Sequence, residues 1–520
     1  MKIGIFINYL PWEKISTEGL GHYLAAISKG FLENGNELTI AYPWWSENSL
    51  KELFDDFNIC WEQITHVRTK KYPPLLYIYQ KHKNKKNKRC NLNMLLKRYV
   101  SNQSEKITKC SSWLLFGTII FQNIIIFLLS IPFIVGRYIY ISIKHIIFRI
   151  INKSKRILKE SLTDKYAYKF RRGIRENSAN ELVSIINSNN FVDVWYCPSL
   201  FWPEVTLING PVVINLPDVV TQIYADEFAK ITFVGETNDI RKTIKKGKYF
   251  ISYSKYIKTE IIEKEYSGTD KNCVVINHIP NILDSYVKID SSVSKKMNVE
   301  YDVTHKFCKN VLSQIQTFGG NLGRIDISNI HYIFYASQVR PHKNILTLIK
   351  AYEELIRKRF RHEKLILTGD ISMCNEIREY VYNNQLSEEI IVCSGVSSQQ
   401  LAALYHCSDL VVNPTLYEGG FPFTFCEGMS VGTPSLMSNI PVVTEIIDKN
   451  VYGEMLFNPY DYHELADRIE WALCNIEYLY EKELVLYKEL IKRTNNIVSE
   501  EYEKTFHDFI NDYYLKTQRR

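Results

Sequence analysis

The stretch Tyr417-Glu418-Gly419-Gly420-Phe421-Pro422-Phe423-Thr424-Phe425-Cys426-Glu427-Gly428-Met429 carries the most structural information in this chain of 520 residues. It follows Asp409-Leu410-Val411-Val412-Asn413-Pro414, a short apolar run of the kind that forms a buried strand. Two glycines and a proline then break the chain, and a helix is expected from about Phe423. The first turn of a helix carries backbone N–H groups without intrahelical partners and the positive end of the helix dipole, which suits a phosphate. Glu418 stands at the loop entrance and Glu427 about one turn into the helix. A diphosphate cradle between two carboxylates is what an enzyme needs to hold a nucleotide and handle the sugar attached to it.

The same alternation extends in both directions. Residues 1–10 read as a strand, Glu18-Gly19-Leu20-Gly21 opens a helix with Leu24, Ile27 and Phe31, and Glu37–Tyr42 reads as a second strand. The pattern stops and resumes near Asn180, with strands expected at Val192–Tyr196, Pro211–Asn215, Tyr249–Ser252 and Val274–Ile276. From about His331 to 495 the β/α alternation is regular, and an aromatic-rich helix is expected over Ser499–Leu515. The expected fold class is α/β with two Rossmann-like doubly wound domains.

The paired-glutamate segment resembles the signature of GT4-type retaining glycosyltransferases (glycosyltransferase group 1), which have the GT-B fold. Ala336-Ser337-Gln338-Val339-Arg340-Pro341-His342-Lys343-Asn344 is similar to the family's phosphate-binding loop. Leu365-Ile366-Leu367-Thr368-Gly369-Asp370 is similar to its next strand and turn. Ser394-Gly395-Val396-Ser397, with Leu401, Leu404 and Tyr405, is similar to its nucleotide-base loop and following helix. Gly432-Thr433-Pro434 and Glu445 match the downstream part, and the resemblance over about 330–475 is specific as a set. It is patchier over Met1–Pro43 and roughly 190–282. Eight residues separate Glu418 from Glu427, one more than the family's usual spacing, and Gly419/Gly420 absorb the extra residue. Thr424 stands where the family has its helix-start proline.

The resemblance implies two domains facing a cleft. Residues 1–282 form an acceptor-side Rossmann-like domain with an insertion at 61–180, 283–328 a linker, and 329–496 a nucleotide-sugar-binding domain. Residues 497–520 form a helix that crosses back to the first domain. It also implies metal-independent chemistry, with Arg340 and Lys343 on the diphosphate. An arginine grips phosphate bidentately and a lysine acts as a compact point charge; as surface charges on a loop the pair would do neither. Glu427 would accept from ribose hydroxyls, Glu418 would face the donor sugar, and Gly419, Gly420, Phe421 and Thr424 would present backbone amides, with Gly395 and Val396 at the base. Retention in such enzymes is often explained by front-face attack, the leaving phosphate taking the acceptor proton.

In the first half, Gly19-x-Gly21 permits close approach of backbone to donor phosphate, with a tight turn as the bland alternative. Pro217 stands where the family often has a histidine, leaving Asp218 as acceptor-side candidate beside a turn-capping role. His22 is a second acceptor-side candidate, with an ordinary helix-surface place as the alternative. Ser254 reads equally as ligand or N-cap. No Asp-x-Asp metal motif is present, since Asp55-Asp56 is adjacent and its side chains diverge. No metal or cofactor is therefore expected beyond the substrate nucleotide-diphosphate sugar.

Eleven scattered cysteines without a CxxC pair read as reduced thiols in a cytoplasm. Charge is strongly regional. Between Arg68 and Arg172 stand 24 Lys and Arg against three Asp and Glu, so a chain of net +7 carries about −14 elsewhere. This argues against a nucleic-acid binder. Lys81–Arg89 is polybasic, Trp113–Gly136 holds no charge in 24 positions, and Arg137–Ile151 is a second apolar stretch. A single membrane crossing would separate strands that belong in one sheet, and both flanks are basic. The expectation is therefore a shallow hairpin or in-plane helices on an anionic membrane surface through 68–172, on the cytoplasmic face. A buried core helix beside a solvated basic loop is the alternative.

These features point to a retaining, metal-independent glycosyltransferase of hexosyl type acting on a lipid-linked or cell-surface glycan, as in bacterial polysaccharide or lipopolysaccharide assembly. A sugar-nucleotide epimerase of the same fold and a catalytically degenerate membrane partner are the alternatives.

Overall fold

The computed structural model describes residues 1–13, 15, 19–70, 117, 118, 120–122, 124, 155–189, 192–224, 234–265, 271–287, 299–315, 317–319 and 323–518. The chain divides into two compact units. One comprises Met1–Ile214, Asp239–Gly247 and Phe506–Arg520, the other Asn215–Asn238 and Lys248–Thr505.

Strands β1 (Lys2–Phe6), β2 (Glu37–Tyr42), β3 (Thr65–Arg68), β4 (Val194–Cys197), β5 (Val212–Leu216), β6 (Tyr249–Ser252) and β7 (Asn272–Val275) lie in the order β3-β2-β1-β4-β5-β6-β7. The division between the units falls inside β5. Ile3 pairs with Leu38 on one side of β1 and with Val194 on the other, both parallel. β1, β2 and β4 are buried along nearly their whole length, which is why they read as continuous apolar runs. Helix Gly19–Glu33 buries Leu24, Ile27, Ser28 and Phe31 at helical spacing.

Two parts of the stretch assigned from sequence to the insertion belong to this framework. β3 pairs in parallel with β2, from Thr39↔Thr65 to Tyr42↔Arg68. As an edge strand it buries only Val67, so Thr-His-Val-Arg gives no apolar signal. The helix Lys155–Asn187 buries Ile174, Ser178, Leu182 and Ile186 at four-residue spacing. It is tied to the loop after β1, where Ser178 Oγ donates to Asn8 Oδ1 at 2.6 Å and Asn8 Nδ2 to the Arg175 carbonyl at 2.8 Å. The polybasic run 81–89 and the apolar stretches 113–136 and 137–151, on which the membrane expectation rests, lie outside the described residues. The exceptions are 117, 118, 120–122 and 124, which are helical. Among the described residues no helix is long and apolar enough to cross a membrane.

The second unit holds a two-stranded antiparallel ribbon, β8 (Thr317–Gly319) and β9 (Gly323–Ile325), and a six-stranded parallel sheet. Its strands β10 (Tyr332–Tyr335), β11 (Lys364–Leu367), β12 (Ile390–Val392), β13 (Leu410–Asn413), β14 (Ser435–Ser438) and β15 (Leu456–Phe457) run in the order β12-β11-β10-β13-β14-β15. From β10 the chain builds outward through β11 and β12, then returns to the other side of β10 as β13. In open parallel sheets ligands bind at such a reversal, outside the carboxyl ends of the strands. The loops that leave β10 and β13 are those carrying Lys343 and Glu418.

The helix Asn495–Gln518 contributes to both units, the second up to Thr505 and the first from Phe506. Phe506 is fully buried in the first unit, its ring 5.9 Å from those of Phe31 and Tyr196. Truncating a buried phenylalanine removes transfer free energy and leaves a cavity, typically ~3–5 kcal/mol together. Phe506→Ala is expected to lower the unfolding free energy measured in urea by that order, read by the near-ultraviolet signal of the aromatic residues.

Candidate functional site

The loop after β10 ends in a single 3-10 turn, Pro341–Lys343, and Asn344 then takes a left-handed conformation (φ 55°) that starts helix Ile345–Lys358. Asparagine tolerates this conformation better than most residues. Its amide donates to the carbonyls of Pro414 (3.0 Å) and Pro459 (2.7 Å). The His342 carbonyl accepts from the Leu416 N–H at 2.8 Å and from Thr415 Oγ1 at 3.1 Å. The loops leaving β10 and β13 are thereby stitched together, and Lys343 Nζ forms an ion pair with Glu418 Oε1, each side chain about one-fifth exposed. Arg340 is exposed and donates from Nη2 to Gln338 Oε1 at 2.7 Å.

Asp218 joins this group. Burial pushes its carboxyl above the usual carboxylate range; the Val220 N–H, Arg340 and Lys343 pull it down and Glu418 adds to the rise. Lys343, Arg340, Glu418 and Asp218 therefore form one electrostatic cluster of two cations and two carboxyl groups. Within it His342 is buried. Desolvation first, then the charges of Lys343 and Arg340, hold its imidazole down at about 2.

The loop after Glu418 is pressed against neighbouring backbone. A Cβ on Gly419 would lie 1.6 Å from the Pro217 carbonyl oxygen, and one on Gly420 would lie 2.9 Å from both His278 and Tyr253. No residue but glycine fits at either position. Ser254 Oγ donates to the Gly419 carbonyl at 2.9 Å. His278 Nε2 lies 2.6 Å from the Phe421 carbonyl. Tyr417 Oη accepts from the Val219 N–H at 3.0 Å. Phe421 is buried edge-on to Phe425 at 5.5 Å, so its side chain serves the core and only its backbone faces the loop. Helix Phe423–Ser430 then begins where the sequence places it, after Pro422. The Thr424 hydroxyl accepts from Asn413 Nδ2 at 2.8 Å, tying the helix start to the end of β13.

Glu427 is held at both oxygens, by Asn281 Nδ2 at 2.7 Å and by Tyr405 Oη at 2.6 Å. Burial, and after it the charge of Glu427, raises Tyr405 well above the usual phenol range, which keeps it a proton donor. Tyr405 lies on helix Ser398–Cys407, whose start follows Gly395 (φ 70°) and Val396 and is closed by a reciprocal Ser397–Gln400 cap. The candidate base loop and Glu427 are thus linked through one helix. Glu445 accepts from the N–H groups of Lys255 and Tyr256 (2.8 and 2.5 Å), while Ser254 Oγ accepts from the Ile257 N–H, so Ser254 is an N-cap.

Gly19, Gly21 and His22 belong to the first unit. A Cβ on Gly21 would lie 2.0 Å from the Ile15 carbonyl oxygen, so this glycine permits a close backbone approach, whereas Gly19 has open space. His22 is half-buried with its ring 5.9 Å from Phe57. The residues that sequence reasoning missed are Asn281 and His278, with Tyr405 noted only as part of a pattern. Each acts on a partner distant in the chain, and no local spacing marks it.

Residues 327–483 match the family model described as Glycosyl transferases group 1. That segment of the chain is similar to the family. An uncharacterized glycosyltransferase of Methanocaldococcus jannaschii is 23% identical over 220 residues, 41% of this chain and 53% of that protein. The lipopolysaccharide 1,2-N-acetylglucosaminetransferase of Salmonella typhimurium is 28% identical over 152 residues, 28% of this chain and 40% of the enzyme. The matched region thus spans about half or less of these relatives. The crystal structure of Anabaena HepE in complex with UDP-glucose superposes with a TM-score of 0.55 at 12% identity, covering 98% of this chain and all of that one. The fold is GT-B, with two Rossmann-like domains. The paired glutamates Glu418 and Glu427, Lys343 and Arg340 all fall within the matched segment.

The buried imidazole of His342 makes stability pH-dependent. Its folded pKa lies far below the ordinary value near 6.5, so on acidification the unfolded chain takes up a proton that the folded chain refuses. The native state is fully favoured above about pH 6.5 and loses up to ~1.4 kcal/mol per pH unit below it. Unfolding free energies at pH 7.5 and 5.5 are expected to fall more steeply in the wild type than in His342→Gln.

Proposed function

We propose that this chain is a retaining glycosyltransferase that cleaves a nucleotide-diphosphate sugar without a metal ion. The carrying observation is the Lys343–Glu418 pair at the β10/β13 reversal, with Arg340 and Asp218 in its field and Glu427 fixed one helical turn beyond the glycine loop. Cleavage of the donor puts negative charge on the leaving diphosphate. Fixed cations aimed at that charge stabilise the transition state, and removing one such group typically costs ~10²–10³ in kcat. Lys343 exchanges Glu418 for a phosphate oxygen when the donor enters. Glu418, released from the lysine, turns to the hydroxyls or anomeric side of the donor sugar. Glu427 accepts from the ribose. The start of helix Phe423–Ser430 adds the favourable end of its dipole. Attack comes from the face the leaving group departs, and the departing phosphate takes the acceptor proton. The UDP-glucose held by the HepE structure supports a nucleotide-sugar donor.

For the acceptor we propose a lipid-linked or cell-surface glycan at the cytoplasmic membrane face. The Salmonella relative acts on lipopolysaccharide by its name, and the charge balance of 68–172 suits an anionic bilayer.

Nucleotide release from UDP-glucose, GDP-mannose, dTDP-glucose and ADP-glucose in EDTA, with detergent-solubilised membrane lipid as acceptor, tests the chemistry. One donor is expected to turn over in an extract-dependent manner. Lys343→Ala should cut kcat by about 10²–10³, and Glu427→Ala should act mainly on KM. Neither turnover nor nucleotide binding would favour the degenerate-partner reading, and epimer formation without acceptor the epimerase.

Flotation with phosphatidylglycerol-containing liposomes tests the membrane proposal. Binding is expected at low salt and should weaken steeply by 0.5 M NaCl as exposed charges are screened. No flotation at any salt would remove the membrane component.

A further inference from the structure

We propose that Ser254 and His278 form a two-point clamp that aims the amide N–H of Gly420 at the donor, and that they are positioning residues for the transfer step. The inference rests on the donor-site reading above. A trans peptide is planar, with its C=O and N–H pointing to opposite sides. The Ser254 hydroxyl donates to the Gly419 carbonyl at 2.9 Å, so the N–H of the same peptide, that of Gly420, points away from Ser254. Ser254 is itself immobilised, because its oxygen accepts from the Ile257 N–H at 3.2 Å as a helix N-cap.

The second point lies two residues on. The Phe421 and Ile279 carbonyls can both only accept; Nε2 of His278 lies 2.6 Å from the first and Nδ1 3.2 Å from the second, and the shorter contact assigns the ring proton to Nε2. Burial depresses the imidazole, with the Ile279 and Phe421 carbonyls acting in the opposite direction, and the neutral ring has one N–H to give. The ring is wedged 4.3 Å from Phe423 and 5.5 Å from Tyr253. The Phe421–Pro422 peptide has no N–H. Between Glu418 and the helix start, the clamp therefore fixes both ends of a short run whose amide donors include Gly420. A Cβ at Gly419 or Gly420 would meet Pro217, His278 or Tyr253, so the loop backbone lies directly against these residues. The extra residue between the two glutamates is housed here, and without the clamp it would leave the loop free to rotate its peptides.

Misplacing a reacting group by about 1 Å can cost ~10²-fold in rate, and the test separates donor loss from packing loss. His278→Gln keeps a donor for the Phe421 carbonyl, and His278→Phe keeps the ring but gives up the donor. Ser254→Thr keeps the hydroxyl that Ser254→Ala removes. With the four nucleotide sugars named above as probes, kcat is expected to fall roughly 10–100-fold in His278→Phe and Ser254→Ala. It should stay within about threefold of wild type in His278→Gln and Ser254→Thr, with melting temperatures of each pair alike. Wild-type kcat in His278→Phe, or equal losses in His278→Gln and His278→Phe, would overturn the clamp while leaving the transferase reading intact. If wild type neither cleaves nor binds any of the four, the transferase reading falls and the clamp falls with it.

Discussion

The backbone carbonyl of His342 is the point on which the candidate site depends. It accepts from an amide and a hydroxyl of the segment leaving β13, and Asn344, two residues on, adds bonds to the carbonyls of Pro414 and Pro459. A parallel sheet sets neighbouring strands about 4.8 Å apart but leaves the loops beyond their ends undetermined. These four bonds remove that freedom. They are made by backbone or by uncharged side chains, so they hold whether or not a charged ligand is present. The lysine that follows His342 and the glutamate that follows Tyr417 then meet without either needing to search.

Charge is organised around this fixed point. Two cations and two carboxyl groups share a partly desolvated region in which burial works against Asp218 and strongly against protonation of His342. A neutral imidazole between Arg340 and Lys343 matters for the balance, because a third cation there would compete with them for the same carboxylates. The positive character of the loop comes from side chains that reach its rim, Arg340 most of all, and not from the buried ring between them. Arg340 is exposed and Lys343 half-buried, so the two cations stand at different depths.

Much of this was legible in the chain. The apolar run Asp409–Pro414, the two glycines and Pro422 located β13, its loop and the helix from Phe423 without reference to any partner. β10 with the Arg340–Asn344 loop and the opening β-loop-α-β unit were equally clear, since local periodicity and turn chemistry carry that information. β3 was not, because Thr65-His66-Val67-Arg68 at a sheet edge buries one residue and looks like any polar segment. Nor were the partners of the glycine loop. His278, Ser254 and Asn281 act across 143, 165 and 146 residues respectively. Two of these bonds end on backbone carbonyls, which have no sequence signature at all. Sequence spacing named Glu418 and Glu427 as candidates; only the folded chain gives their first partners.

The double tether on Glu427 has a thermodynamic side. A free glutamate side chain can occupy many rotamers, and restricting it costs roughly 1–2 kcal/mol in conformational entropy. Here Tyr405 and Asn281 impose that restriction when the protein folds. A hydroxyl-bearing ligand that replaces the Asn281 contact inherits an acceptor whose torsions are already fixed by Tyr405. Its binding equilibrium is spared most of that loss, which at room temperature amounts to about a factor of ten in affinity. The tyrosine that sets this rotamer never has to touch the ligand, so its influence would surface as a dissociation constant and not as a contact.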